Sequence, residues 1–278
     1  MSRIMGCFER LRQQQRCALI AFVTAGDPDP SVTVSLMHGL VAAGANIIEL
    51  GVPFSDPMAD GPVIQRANER ALLKNIRLYD VLGFVETFRG RDAITPVVLM
   101  GYLNPFEVMG YQAFSLAAAS AGVDGVITVD LPPEEAGSFV QMVRGHGIDP
   151  IFLIAPTSNR RRIAQICALS SGFVYYVSLK GVTGAAHLDV SAVAEKVREI
   201  REMTTLPVGV GFGVQDARTA ASIAAVSDAV VVGSALVRRI ESLTKQWDLV
   251  PMEVPLLIAQ MRSVMDGGSI GPRPFLPR

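Results

Sequence analysis

Eight short apolar runs, each followed by a segment of helical character, constrain the fold of this 278-residue chain more than any other feature. The runs are apolar almost throughout instead of alternating with polar residues, which is typical of parallel strands covered on both faces. They occupy residues 18–25, 46–52, 96–102, 125–130, 150–155, 173–179, 207–213 and 229–234. Eight strands alternating with helices over about 250 residues predict a single α/β domain of the (β/α)8 TIM-barrel class.

An open, doubly wound sheet is the alternative arrangement of alternating strands and helices. Its dinucleotide-binding form carries a GxGxxG motif directly after the first strand. Here the first run is followed by "GDPDP" at residues 26–30. This stretch lacks the motif, so the sequence favours the barrel.

Segments beyond the eight repeats predict additions to the barrel. Residues 2–15 form an amphipathic pattern with Ile4, Phe8 and Leu11 on one face, as expected of a helix covering the bottom of the barrel. Extra helices are predicted after the second strand, at 62–74 and 77–89, and after the eighth strand. We therefore expect one barrel domain over residues 1–268 and a disordered, Gly- and Pro-rich tail over 269–278.

Composition argues against several classes of function. The 25 basic and 26 acidic residues nearly balance, and no basic stripe is interleaved with aromatic residues, so nucleic-acid binding is not expected. No apolar stretch approaches the roughly 20 residues needed to span a bilayer, and the N-terminus lacks the apolar core of a signal peptide. Three cysteines without CxxC spacing and three dispersed histidines give no metal-site pattern. We expect a cytoplasmic protein without a metal.

A carboxylate inside the second strand is the first candidate for catalysis. If Glu49 points into the barrel, alternation along the strand sends Ile48 and Leu50 outward to the helices. A desolvated carboxyl group there has a raised pKa and can exchange protons near neutral pH. The alternative is a structural carboxylate paired with a buried Arg or Lys. Asp60, on the following loop, is equally consistent with a catalytic acid and with an N-cap of the next helix.

Glycines follow the three last strands, at residues 181–184, 211–213 and 233–236. Glycine lets backbone N–H groups approach an anion, and a helix N-terminus adds partial positive charge. Since barrels often bind phosphate in these late loops, the pattern predicts a phosphate-bearing ligand near Ser234. Ordinary tight turns are the alternative. Tyr175 lies in the sixth strand, where the sequence is equally consistent with packing and with a place in the site.

The chain resembles the tryptophan synthase alpha subunit family over nearly its whole length. The most specific match is "ELGVPFSDPMADGPVIQRANERAL", beginning at Glu49. The segments "FVTAGDP", "MGYLNP", "DLPPEE", "APTS", "GVTG", "VGFG" and "GSALV" follow the family in order and spacing. The resemblance implies retro-aldol cleavage of indole-3-glycerol phosphate to indole and glyceraldehyde 3-phosphate.

The resemblance also implies roles for individual residues. Glu49, Asp60 and Tyr175 correspond to catalytic positions. The substrate-binding positions are Phe22, Thr183 and Phe212, and the phosphate-binding positions are Gly184, Gly213, Gly233 and Ser234. Thr183 and Gly184 belong to a loop, residues 179–190, that closes over the site in the family.

The family acts without a metal or organic cofactor of its own, in an αββα complex with a beta subunit that carries pyridoxal phosphate. The resemblance places the partner against the loop at 53–56 and the stretch at 104–106. Three alternatives remain at this point: a standalone lyase that releases indole, an inactive regulatory subunit, and another phosphate-handling barrel such as an aldolase or epimerase. The last would need a Schiff-base lysine, for which Lys180 is the candidate.

Overall fold

A closed ring of parallel strands forms the centre of the molecule. The computed structural model describes residues 2–178, 189–211 and 213–267. Its strands are β1 (Ala18–Thr24), β2 (Ile47–Gly51), β3 (Val97–Gly101), β4 (Gly125–Thr128), β5 (Asp149–Ile151), β6 (Leu153–Ile154), β7 (Val174–Val177), β8 (Val208–Gly211) and β9 (Ala229–Val232). They correspond one by one to the eight predicted runs, except that the fifth run is divided.

The division of the fifth run does not open the barrel. The strands are hydrogen-bonded in the order β5-β4-β3-β2-β1-β9-β8-β7-β6, and every pairing is parallel. Only Phe152 separates β5 from β6, and its carbonyl accepts a hydrogen bond from Tyr175 N–H. The two segments are therefore parts of one strand, and the predicted (β/α)8 TIM barrel is confirmed.

Helices surround the barrel and connect its strands. They are α1 (Arg3–Gln13), α2 (Thr33–Ala42), α3 (Pro62–Leu73), α4 (Leu78–Arg89), α5 (Leu103–Met109), α6 (Tyr111–Ala121), α7 (Gly137–Gly145), α8 (Arg160–Leu169), α9 (Val190–Arg201), α10 (Ala217–Ala224), α11 (Ser234–Ser242), α12 (Val250–Glu253) and α13 (Pro255–Gly267). Short 3₁₀ helices lie at Pro30–Val32 and Thr244–Leu249. The extra helices predicted after the second and eighth strands are present as α3 with α4 and as α12 with α13.

The bottom of the barrel is closed by α1, as its amphipathic pattern predicts. Ile4 is fully buried, and Phe8 lies 5.9 Å from Phe173 of the barrel interior, measured between ring centroids. Both belong to one apolar cluster that includes Ile20, Val98 and other inward-facing strand residues. This cluster fills the lower part of the barrel interior, so a site inside the barrel is expected toward the carboxyl ends of the strands.

The segment after β3 differs from the prediction. Residues 105–122 are expected from their pattern to form one helix, but α5 and α6 are separate. Gly110 lies between them with φ 85, a left-handed conformation that ends α5 and turns the chain. The sequence signal was an internal glycine in an otherwise apolar segment, which does not by itself separate a break from a tolerated glycine.

No helix in the described part of the chain is long and apolar enough to cross a membrane. The predicted tail at 269–278 lies outside the described residues.

Candidate active site

Glu49 lies inside the barrel, where the sequence places it. It is 1% exposed, and within β2 it pairs in register with Phe22 of β1 and Val98 of β3. Its neighbours Ile48 and Leu50 pack in the outer core against the helices, so strand alternation directs the carboxyl group inward. The Glu49 Oε2 atom is buried with no hydrogen-bond partner among the described residues.

Burial, and to a smaller extent the negative charge of Asp60, raises the pKa of Glu49 to about 8. No arginine or lysine among the described residues forms an ion pair with it. The structural alternative, in which Glu49 pairs with a buried arginine or lysine, is therefore not found among the described residues. At neutral pH Glu49 is mostly protonated and holds a proton that it can donate.

Asp60 follows β2 on the same end of the barrel, but it does not cap the next helix. The N-cap of α3 is Gly61, and no side chain caps it. The Asp60 carboxylate instead accepts hydrogen bonds from the Tyr102 hydroxyl and from Asn68 Nδ2, the latter at 3.4 Å. Burial raises the pKa of Asp60 to about 6, and these two donors limit the rise. Asp60 is thus mostly ionised at neutral pH.

Tyr102, directly after β3, is a residue that the sequence reasoning missed. Its hydroxyl accepts a hydrogen bond from Ala59 N–H at 3.1 Å and also contacts Asp60, while its ring stacks on Phe54 at 5.1 Å between centroids. It therefore fixes the loop that carries Asp60. The signal was available, because alternation from the inward Val98 places residue 102 on the inner face of the same strand.

Tyr175 of β7 is buried in the barrel close to Glu49. Its pKa is raised well above the usual value by burial and then by the charge of Glu49, so it stays a neutral phenol. Gly211 on the adjacent β8 provides the room for its ring, since a Cβ at this position would collide with the Tyr175 hydroxyl. Tyr175 thus faces the same interior as Glu49.

Phe22 of β1 stands at the mouth of the barrel between two glycines. A Cβ on Gly51 would lie 2.8 Å from its ring, and one on Gly233 would lie 3.3 Å away. The ring packs on Ala67 of α3 and Val237 of α11. This arrangement puts an aromatic surface beside Glu49 and next to the start of α11.

The predicted phosphate residues lie in part within the described chain. Ser234 is the first residue of α11, and Gly233 is its N-cap, so backbone N–H groups without helical partners are available there. Gly213, after β8, has φ 80. The predicted site residues Thr183, Gly184 and Phe212 lie outside the described residues, as does the whole 179–188 part of the predicted loop.

Residues 2–178, 189–211 and 213–267 offer few groups for metal binding or for Schiff-base formation by lysine. No cluster of three or more His, Cys, Asp or Glu side chains there is arranged to hold a metal ion. Of the lysines described, Lys74 and Lys245 are exposed, and Lys196 bonds to Glu199 and the Ser158 carbonyl on the outer side of the barrel. Lys180 lies outside the described residues.

Comparison with known sequences assigns the family. The family model "Tryptophan synthase alpha chain" matches residues 8–264. The chain is 65% identical to the tryptophan synthase alpha chain of Thioalkalivibrio sulfidiphilus over 96% of its own length and 100% of the relative. It is 59% identical to the alpha chain of Nitrosococcus oceani, over 96% of this chain and 98% of the relative.

Solved structures agree with the sequence relatives. Tryptophan synthase subunit alpha from Legionella pneumophila superposes with a TM-score of 0.89 at 42% identity, covering 96% of this chain and 99% of that one. A tryptophan synthase from M. tuberculosis, in an aminoacrylate-bound form, gives a TM-score of 0.84 at 37% identity over 95% and 100% of the two chains. With a barrel of this topology and matches over nearly its full length, the chain belongs to the tryptophan synthase alpha chain family and is a lyase that cleaves indole-3-glycerol phosphate.

Proposed function

We propose that Glu49 and Asp60 divide the chemistry of this cleavage between them. The observation that supports this most is their different surroundings at one end of the barrel. The Glu49 carboxyl group is fully buried, and its Oε2 atom has no hydrogen-bond partner among the described residues, whereas the Asp60 carboxylate accepts two hydrogen bonds. The donors to Asp60 are Tyr102 and Asn68. These surroundings raise the pKa of Glu49 to about 8 and that of Asp60 to about 6. Near pH 7 one carboxyl group carries a proton and the other carries a charge. Two carboxyl groups with separated pKa values are the arrangement expected for a general acid beside an electrostatic stabiliser.

Glu49 is proposed to move the proton in both halves of the reaction. Its carboxyl group donates a proton to indole C3, and the resulting carboxylate takes the proton from the hydroxyl group on the adjacent side-chain carbon. The bond between C3 and that carbon breaks, and its electron pair returns to the ring as the hydroxyl becomes an aldehyde. Indole and glyceraldehyde 3-phosphate result, and Glu49 regains its proton.

Asp60 is proposed to stabilise the positive charge that develops on the ring once C3 is protonated. Its carboxylate accepts the hydrogen bond of the indole N–H, which becomes more acidic in the transition state. Tyr102 and Asn68 hold the carboxylate ionised and in place by the hydrogen bonds that they donate. A charged acceptor positioned before the reaction needs little rearrangement as the charge forms.

The remaining predicted residues are proposed to bind the two ends of the substrate. Phe22 and Tyr175 provide the aromatic walls around the indole and glycerol parts, with Phe212 and Thr183 completing the site. Gly184, Gly213, Gly233 and Ser234 are proposed to bind the phosphate through backbone N–H groups and the Ser234 hydroxyl. The open N-terminus of α11 supports the position of the last two.

The partner is proposed to be a tryptophan synthase beta subunit in an αββα complex. Pyridoxal phosphate would belong to that subunit, and this chain would act in the cytoplasm without a cofactor of its own. Exposed apolar side chains near the mouth support a partner surface: Met58 is 84% exposed and Val108 is 80% exposed. Within the implied stretch at 104–106, Asn104 is exposed and Phe106 is fully buried, so Asn104 is the side chain proposed to face the partner.

The proposed roles are tested by steady-state indole formation in the presence of the beta subunit. Glu49→Gln and Asp60→Asn are each expected to lower kcat by at least about 10²-fold, the lower end of the range for loss of an acid–base group and for loss of a group that stabilises transition-state charge. Glu86→Gln is the matched control, since Glu86 is an exposed carboxylate on α4 and belongs neither to the proposed site nor to the proposed partner surface. Near wild-type turnover by Glu49→Gln would refute the assignment of proton transfer to this residue.

The complex and the standalone lyase share every catalytic residue, so a separate measurement distinguishes them. We expect kcat of the wild-type chain to rise strongly when the beta subunit is added at saturating concentration. Equal rates with and without the beta subunit would favour a lyase that acts alone and releases indole.

A further inference from the structure

Four charged side chains join the two helices that flank the mouth of the barrel. Asp27 follows β1, Arg66 and Arg70 lie on α3, and Glu241 lies on α11. Hydrogen bonds connect them across 43 to 175 residues of sequence. We call these four residues the mouth network.

The centre of the mouth network is a pair of bidentate contacts. Arg70 binds Asp27 through Nε and Nη2, at 2.7 and 2.9 Å, and its Nη1 reaches Glu241 at 3.1 Å. Arg66, one helical turn earlier, binds both oxygens of Glu241 at 2.5 and 2.9 Å. Bidentate arginine–carboxylate contacts fix orientation as well as distance. The side chain of Asp27 is fully buried, so the network is anchored inside the protein at one end.

Each helix in the mouth network carries one end of the proposed site. Asn68, which donates to Asp60, lies on α3 between Arg66 and Arg70. The proposed phosphate residues Gly233 and Ser234 begin α11, which also bears Glu241. Between the helices, an inner layer formed by Ala67 and Val237 supports Phe22. The network lies outside this apolar layer and joins the same two helices.

We propose that the mouth network is a positioning device that sets the separation between the acid end and the phosphate end of the site. The inference rests on the function proposed above. The substrate reaches from Asp60 to the N-terminus of α11, so a small shift of α3 against α11 misplaces one end whenever the other is bound. A 1 Å misplacement can cost about 10²-fold in rate. None of the four residues needs to touch the substrate for this effect.

The test compares the intact substrate with its two fragments. Glu241→Gln removes the charge that both arginines share, at a side chain that is 29% exposed. We expect kcat/KM for indole-3-glycerol phosphate to fall about tenfold, short of the 10²-fold cost of a full 1 Å displacement. The dissociation constants of indole and of glycerol 3-phosphate, each of which occupies one end, should change less than about twofold.

Arg239→Gln is the matched control, because Arg239 also lies on α11 but pairs with Glu253, away from α3. Its kcat/KM should equal that of the wild type. Thermal melting checks folding of both variants, and Arg66→Gln, at a 48% exposed position, replaces Glu241→Gln if the latter fails to fold.

Two results for Glu241→Gln would overturn the proposal. One is an unchanged kcat/KM for indole-3-glycerol phosphate. The other is a loss of affinity for indole or glycerol 3-phosphate as large as the loss of kcat/KM, which would mean that the network shapes one end of the site and not the separation of the two. Cleavage by the wild-type chain in the same assay reports on the proposed function separately.

Discussion

Removing the Tyr102 hydroxyl should change the pH dependence of cleavage. The hydroxyl donates to the Asp60 carboxylate and is one of two side-chain hydrogen bonds that lower the pKa of Asp60 against the effect of burial. In Tyr102→Phe that pKa should therefore rise above its value of about 6. Asp60 is half-buried and keeps Asn68, so we take a rise of about one pKa unit, or about 1.4 kcal/mol. This is near the lower end for hydrogen bonds to charged groups.

The rise has a calculable effect, because the proposed reaction needs Asp60 ionised. With a pKa of about 6, some three-quarters of Asp60 is ionised at pH 6.5, whereas with a pKa of about 7 only one-quarter is. Both forms are almost fully ionised at pH 8. The ratio of wild-type to variant kcat/KM should therefore grow about threefold as pH falls from 8 to 6.5.

The assay is kcat/KM for indole formation between pH 6 and 9 with the beta subunit present. A constant loss at all pH values is also expected, since Ala59 N–H loses its acceptor, so only the change of the ratio with pH is diagnostic. Tyr111→Phe serves as control, because that hydroxyl bonds Glu107 on α5 instead of Asp60. Parallel pH profiles for wild type and Tyr102→Phe would refute the proposed control of Asp60 ionisation.

Three further predictions concern packing and proton linkage. Gly211→Ala should displace the Tyr175 ring and destabilise the fold by about 1–3 kcal/mol, with lower kcat; a wild-type kcat at unchanged melting temperature would contradict the tight fit. Phe8→Ala should lower the free energy of unfolding by about 3–5 kcal/mol without changing KM, as measured by urea unfolding and kinetics. The folded-state pKa of Glu49 is raised from 4.5 to about 8, so the fold binds this proton more tightly than the unfolded chain does. The free energy of unfolding of the wild type should thus decline as pH rises from 4.5 to 8, and Glu49→Gln should remove part of that decline. Urea unfolding at pH 5 and pH 8 measures the decline, and an equal decline in wild type and variant would count against the prediction.

Local patterns predicted the barrel because they are repeated. Each apolar run needs only its own composition to be recognised, and α1 needs only the spacing of Ile4, Phe8 and Leu11. The inward position of Glu49 can be predicted for a similar reason, since alternation along a strand is enough to place a carboxyl group that lies among apolar neighbours. The break at Gly110 within residues 103–121 cannot be predicted in this way, because it depends on a backbone conformation that glycine permits but does not require.

Features that depend on distant contacts could not be derived from local patterns. The sequence at Asp60 is equally consistent with a helix cap and with a catalytic group, and the cap is excluded only by the structure, where Gly61 is the N-cap and Asp60 bonds to Tyr102. The mouth network is a second case, because Glu241 meets Arg66 across 175 residues. The spacing of residues along the chain does not predict that side chains of α3 and α11 contact each other.

The proposal that Glu49 transfers the proton is tested most directly by a single-turnover experiment with Glu49→Gln. Enzyme in excess over indole-3-glycerol phosphate, with the beta subunit present, separates binding and cleavage from product release. We predict that the variant binds the substrate with a dissociation constant close to that of wild type but forms indole at least about 10²-fold more slowly. Indole formation at the wild-type single-turnover rate would contradict the central role of Glu49.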